Sequence, residues 1–113
     1  YDKEVAVSIE KEEVFINITI GIPLGLIANE IITNSYKYAF GRENLAPQLN
    51  IKCFKKGSNI YVCFEDNGPG YDFSSETVGM GLGIIKDLCE QIDVKIEFLN
   101  RNGASITLIF EGS

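Results

Sequence analysis

Two stretches of alternating apolar and polar residues on either side of a tight turn limit the fold of this chain more than any other feature. Residues 49–55 and 60–66 are joined across Gly57-Ser58-Asn59, and Ile60, Val62, Phe64 and Asp66 share one side of the second stretch. A strand hairpin with an apolar face must cover that face with another layer. A second strand pair, residues 94–99 and 105–110, flanks Asn100-Arg101-Asn102-Gly103, whose composition favours positive φ. Helical signals precede each pair. Pro23 suits a first helical turn and Gly41 a stop, which predicts a helix over residues 23–40. Leu82, Ile85, Leu88, Cys89 and Ile92 recur at threes and fours, which predicts a second helix over residues 81–91. Nearer the start, Val5-Ala6-Val7-Ser8-Ile9 and Val14-Phe15-Ile16 read as short paired strands joined by the solvated run Glu10-Lys11-Glu12-Glu13. The expected fold class is α/β: a two-layer sandwich in which helices pack on one face of a mixed, mainly antiparallel sheet.

At 113 residues the chain supports one core, so residues 1–113 are expected to be a single domain. Hydrophobic residues at 45% and charged residues at 23% carry enough apolar surface to offset the entropy of ordering. A net charge of −6 and a pI near 4.6 argue against a nucleic-acid partner, which would call for an excess of Lys and Arg. The apolar stretch of residues 18–32 is interrupted by Thr19, Gly21, Pro23, Gly25, Asn29 and Glu30, so it is not a bilayer span. Tyr1-Asp2-Lys3-Glu4 lacks both an initiator Met and a signal-peptide pattern, and a fragment of a longer protein is expected. Cys53, Cys63 and Cys89 lack metal-ligand spacing and read as buried reduced thiols, favouring a reducing, cytoplasmic compartment. Asn17-Ile18-Thr19 matches a glycosylation triplet, which carries no weight without a secretion signal.

Three polar clusters carry the chemistry. On the first helix, Glu30, Asn34, Lys37 and Tyr38 fall within an arc of about 100°, while Leu24, Ala28, Ile31, Ile32, Ser35 and Ala39 form the adjoining small or apolar side. A solvated helix face also accounts for such an arc. Asn is a poor helix former, however, and a carboxamide one turn from a carboxylate suits Mg²⁺ or phosphate. Asp66 ends an apolar strand face, where a buried carboxylate needs a donor such as the exocyclic amine of a base. Gly68-Pro69-Gly70 after it permits close approach to a flat ligand, or merely a turn. Gly79-Met80-Gly81-Leu82-Gly83 opens the second helix, where free N–H groups attract anions; tight packing or a hinge would also use these glycines. There is no G-x-x-x-x-G-K-S/T, and the ladder is not GxGxxG after a strand, so P-loop and dinucleotide readings fail. With no histidine, nucleophile–histidine sets and Cys/His metal clusters are impossible, and any phospho-accepting histidine lies elsewhere. Phosphoryl transfer by positioning and charge neutralisation remains.

These three clusters, in this order, resemble the boxes of the GHKL superfamily of ATP-binding domains, shared by histidine kinases, DNA gyrase and mismatch-repair ATPases. The resemblance covers nearly the whole chain, and residues 22–40 are especially similar to the N box of short-lid histidine kinases. It implies a Bergerat-type sandwich that binds ATP and Mg²⁺ and transfers the γ-phosphoryl to a histidine on a separate dimerisation domain. It implies that Asn34 coordinates Mg²⁺, Lys37 contacts phosphate, Tyr38 borders the nucleotide and Glu30 orients metal, water or the nucleophile. Asp66 would accept from the adenine amine, with Gly68 and Gly70 shaping the base pocket. Gly79, Gly81, Leu82 and Gly83 would close over the phosphates. The implied partners are the phospho-accepting domain, of the same or a partner chain, and then a response regulator, with the full-length protein a homodimer. An anti-sigma-type serine kinase and a non-catalytic nucleotide-binding module are the alternatives; a gyrase-type ATPase fits less well because the transducer domain and long lid are missing. Two departures stand out. Ala104 replaces the usual Thr after Gly103, and Ser105 and Thr107 have the wrong strand parity to substitute for it. The lid, residues 71–78, is short.

Overall fold

The hairpin forms the centre of the sheet. The structure, a computed structural model, describes residues 4–39, 46–69, 82–100 and 103–112. Strand β2 (Gln48–Lys56) returns as β3 (Asn59–Asp66) through a turn in which Gly57 takes φ +64, a conformation that costs glycine little. On its other edge β3 pairs antiparallel with β5 (Ala104–Glu111), and β5 pairs antiparallel with β4 (Lys95–Asn100). Strand β1 (Ala6–Lys11) joins the far edge of β2 in parallel, with Val7 opposite Leu49, giving the order β1-β2-β3-β5-β4. A parallel neighbour needs a crossover, and helix α1 (Ile18–Asn34) supplies it.

The expected partnership of β1 with residues 14–16 does not form. Residues 12–17 lie outside the strands, and β1 runs on through Glu10 and Lys11 because β2 offers it a longer ladder. Glu12 finishes that ladder: its N–H donates to the Cys53 carbonyl (2.9 Å), and its Oε1 accepts from the Lys55 N–H (2.9 Å). Part of the charged run is thus strand rather than connection, although it is exposed as expected.

Helix α1 begins five residues before Pro23. Asn17 caps it: its Oδ1 accepts from the N–H (3.0 Å) and hydroxyl (2.9 Å) of Thr19, and its carbonyl accepts from Ile20 and Gly21. The Asn17-Ile18-Thr19 triplet is therefore a helix start. Pro23 lies inside the helix and cannot donate to the Thr19 carbonyl, a local cost that the cap and the packing of later turns offset. After Asn34 the helix widens into a π-helical turn, Ser35–Ala39. Helix α2 (Leu82–Gln91) follows closely the expected bounds.

Alternation then divides the sheet's two faces. Ile60 and Phe64 of β3 and Ile106, Leu108 and Phe110 of β5 face the helices, where Ile27 and Ile31 of α1 and Ile85 and Cys89 of α2 complete the core. The opposite face carries the stacked rings of Phe54 and Tyr61 (5.1 Å) and the Lys52–Glu65 ion pair (3.1 Å). The two-layer sandwich with helices on one face is borne out. All three thiols are free, but only Cys89 is fully buried, and burial pushes its pKa up; Cys53 and Cys63 are half-buried. Among the described residues no helix is long and apolar enough to cross a membrane.

Two substitutions test this account. Asn17→Ala removes the side-chain cap and should lower unfolding free energy by about 1 kcal/mol in urea titrations, with Asn17→Ser near the parent value. Gly103, at φ +133, leaves no room for a Cβ, which would collide with the Asp66 carbonyl oxygen. Gly103→Ala should therefore cost about 3 kcal/mol or more in the same titration.

Candidate functional site

Three distant segments meet at one carboxylate. Asp66 ends β3 on the core side of the sheet, in register with Leu49 of β2, and is 8% exposed. Its Oδ1 accepts two backbone N–H groups, from Gly68 (3.0 Å) and from Ala104 (3.0 Å). Its Oδ2 accepts from the Ser35 hydroxyl at 3.4 Å. Those are its donors among the described residues. A carboxylate this buried is costly unless donors surround it, and here the turn after β3, the start of β5 and the end of α1 each provide one. Asn67 braces the same turn, with Oδ1 accepting from the Gln48 N–H (2.9 Å) and Nδ2 donating to the Ala46 carbonyl (2.8 Å).

Asn34, 3% exposed, directly precedes the Ser35 that touches Asp66, so the first two clusters of the sequence are neighbours in space. Glu30, one α-helical turn earlier, is half-buried, and Lys37 is exposed. Glu30 and Asn34 lie on α1, and Lys37 falls within the π-helical turn, where the α-helical spacing behind the expected arc no longer applies.

Ser35 is the residue that sequence reasoning missed. Helical spacing puts it on the packing side, and it is indeed 2% exposed, yet its hydroxyl lies within reach of both Asp66 Oδ2 and the Ile31 carbonyl (3.3 Å). A hydroxyl next to Asn34 was the only available signal. Ala104 holds Asp66 by its backbone N–H and offers no hydroxyl. Ser105 and Thr107 do lie on the opposite face, as their parity requires, where Thr107 Oγ1 donates to Cys63 Sγ (3.4 Å) and Ser105 Oγ is 3.6 Å from the same sulfur.

For the glycine ladder, the structure speaks at Gly83. A Cβ there would meet nothing within 4 Å, so packing does not demand glycine at that exposed position. Lys86 lies over the Phe98 ring (5.4 Å), level with Ile106, and after α2 the chain enters β4 at Lys95, opposite Ile109 and toward the Asn59 and Glu111 end. Helix α2 therefore runs away from the Asp66 end of the sheet, and its first turn is the nearer one. Gly70, Gly79, Gly81, the lid residues 71–78 and the side chains of Tyr38 and Leu82 lie outside the described residues. A cleft of about 580 Å³ opens at the Asn59 and Glu111 end, remote from Asp66; its lining brings together none of the expected site residues.

No protein-family model matches the sequence, and neither does any curated protein. Solved structures do. The blue-light-activated histidine kinase EL346 of Erythrobacter litoralis superposes with a TM-score of 0.83 at 17% identity, over 96% of this chain and 36% of that one. The catalytic domain of the histidine kinase ThkA gives 0.76 at 17% identity, over 96% of this chain and 78% of that one. The Acinetobacter baumannii histidine kinase AdeS gives 0.75 at 16% identity, over 96% and 55%. This chain thus spans about a third of the length of EL346, and its fold is that of histidine kinase catalytic domains.

Proposed function

We propose that this chain is the ATP-binding catalytic domain of a two-component sensor histidine kinase, acting on a histidine carried by a separate dimerisation domain. The observation that carries the reading is Asp66: a buried carboxylate with one oxygen held by two backbone N–H groups and the other kept facing the end of α1. Such an oxygen accepts from the 6-amino group of adenine. Gly68, whose N–H already fixes Oδ1, shapes the floor beneath the base, with Gly70.

The residues present fit a magnesium ion shared with phosphates. Among the described residues no three His, Cys, Asp or Glu gather as a protein cage, and the buried Asn34 carboxamide supplies a single oxygen, the type of ligand set Mg²⁺ uses when phosphates and water complete its shell. Asn34 would hold the ion there, and the ion would supply charge neutralisation for phosphoryl transfer. Lys37 contacts the phosphates from the π-helical turn, Tyr38 borders the nucleotide, and Gly79, Gly81, Leu82 and Gly83 close over the phosphates. Glu30 orients the incoming nucleophile. The γ-phosphoryl then passes to an imidazole nitrogen as its bond to the β-phosphate oxygen breaks and ADP leaves. This chain contains no histidine, so that imidazole belongs to the dimerisation domain, from which a response regulator takes the phosphoryl group. The setting is cytoplasmic, and the full-length protein a homodimer.

The test is transfer from γ-labelled ATP. The isolated domain should bind Mg·ADP but take up no label, and label should appear on an added histidine-bearing dimerisation domain. Asp66→Asn should weaken Mg·ADP binding about 10- to 100-fold by calorimetry, the loss of a charge-assisted hydrogen bond. Label on the isolated domain, or undiminished binding by Asp66→Asn, contradicts the proposal.

A further inference from the structure

The carboxylate is supported unequally. Both bonds to Oδ1 come from backbone, so they persist whatever side chains occupy positions 68 and 104. Among the described residues, Oδ2 depends on one side chain, Ser35. The neighbouring hydroxyls of Ser105 and Thr107 are turned to Cys63 on the far face, and Ala104 has none. We propose that Ser35 is a positioning residue that sets the base preference of this site, a deepening that rests on the functional reading above.

The argument is one of donors and acceptors. The Ser35 hydroxyl carries one hydrogen and has two acceptors within reach, the Ile31 carbonyl at 3.3 Å and Asp66 Oδ2 at 3.4 Å. Turned to Oδ2, it stabilises the charged carboxylate in a place where water has little access, since Ser35 is 2% and Asp66 8% exposed. A charged carboxylate accepts only. It therefore takes the hydrogen of a 6-amino purine and repels the oxygen of a 6-oxo purine. Without the hydroxyl, Oδ2 loses its donor among the described residues, and the carboxylate is held through Oδ1 alone, so the acceptor is no longer aimed at the purine 6-position and discriminates less between an amino group and an oxygen there. Ser35 thereby acts through Asp66, whether or not it touches the base.

ADP and inosine diphosphate differ at the purine 6-position and so isolate this effect. Calorimetry with both, in Mg²⁺, should show Ser35→Ala lowering the preference for ADP over inosine diphosphate about tenfold, the worth of one hydrogen bond to a charged group. Ala is a better helix former than Ser, so the variant should fold; if it does not, Ser35→Cys, close in size and a poor donor, carries the same expectation. Adding Ala104→Ser to Ser35→Ala puts a hydroxyl on the Asp66 side of β5 and should restore much of the preference. A merely structural role would weaken both nucleotides alike and leave their ratio unchanged. An unchanged ratio, with the parent chain binding ADP, overturns the role of Ser35 alone. No ADP binding by the parent chain overturns the functional reading and this inference with it.

Discussion

The buried carboxylate of Asp66 is the constraint on which the rest depends. Its place at the end of the central strand forces the chain to bring N–H and O–H donors to it, and they come from positions 35, 68 and 104. Satisfying that one group fixes where α1 ends, how the chain leaves β3 and where β5 begins. Gly103 shows how tight the arrangement is, because only a residue without a Cβ fits against the Asp66 backbone.

Strand parity then separates two sets of polar groups that are close in sequence. Asp66 and Ala104 look toward the helices, whereas Cys63, Glu65, Ser105 and Thr107 look away. Two helix-facing layers therefore hold a mostly apolar core with one polar corner, and that corner coincides with the π-helical turn. The widened turn begins at Ser35, the residue that reaches Asp66, and its backbone N–H reaches both Ile31 and Ile32. Local departure from α-helical geometry and the polar contact thus occur at the same residue.

Much of this was legible in the sequence where contacts are local. The hairpin at Gly57, the last strand pair and α2 follow from alternation, turn composition and helical spacing, all of which are read within about ten residues. The failures have non-local causes. Strand β1 pairs in parallel with β2, some forty residues away, and no local pattern distinguishes that from a pairing with residues 14–16. The start of α1 was hidden because Ile18, Ile22 and Leu26 are exposed, which blurs the apolar stripe, while Pro23 suggested a later start. In the candidate site, Asp66 and Asn34 stood out as polar residues in apolar or helical settings. Ser35 did not, since serine fits a packed helix face without comment, and only its proximity to Asp66 reveals a second use.

The most direct test of the central claim is to follow backbone amides by ¹H–¹⁵N NMR as Mg·ADP is added. The account predicts that the amides of Ser35, Gly68 and Ala104 shift together along one binding curve, since all three groups meet at Asp66. Shifts confined to Cys89, Glu90 and Glu111, around the cleft at the other end of the sheet, would contradict it.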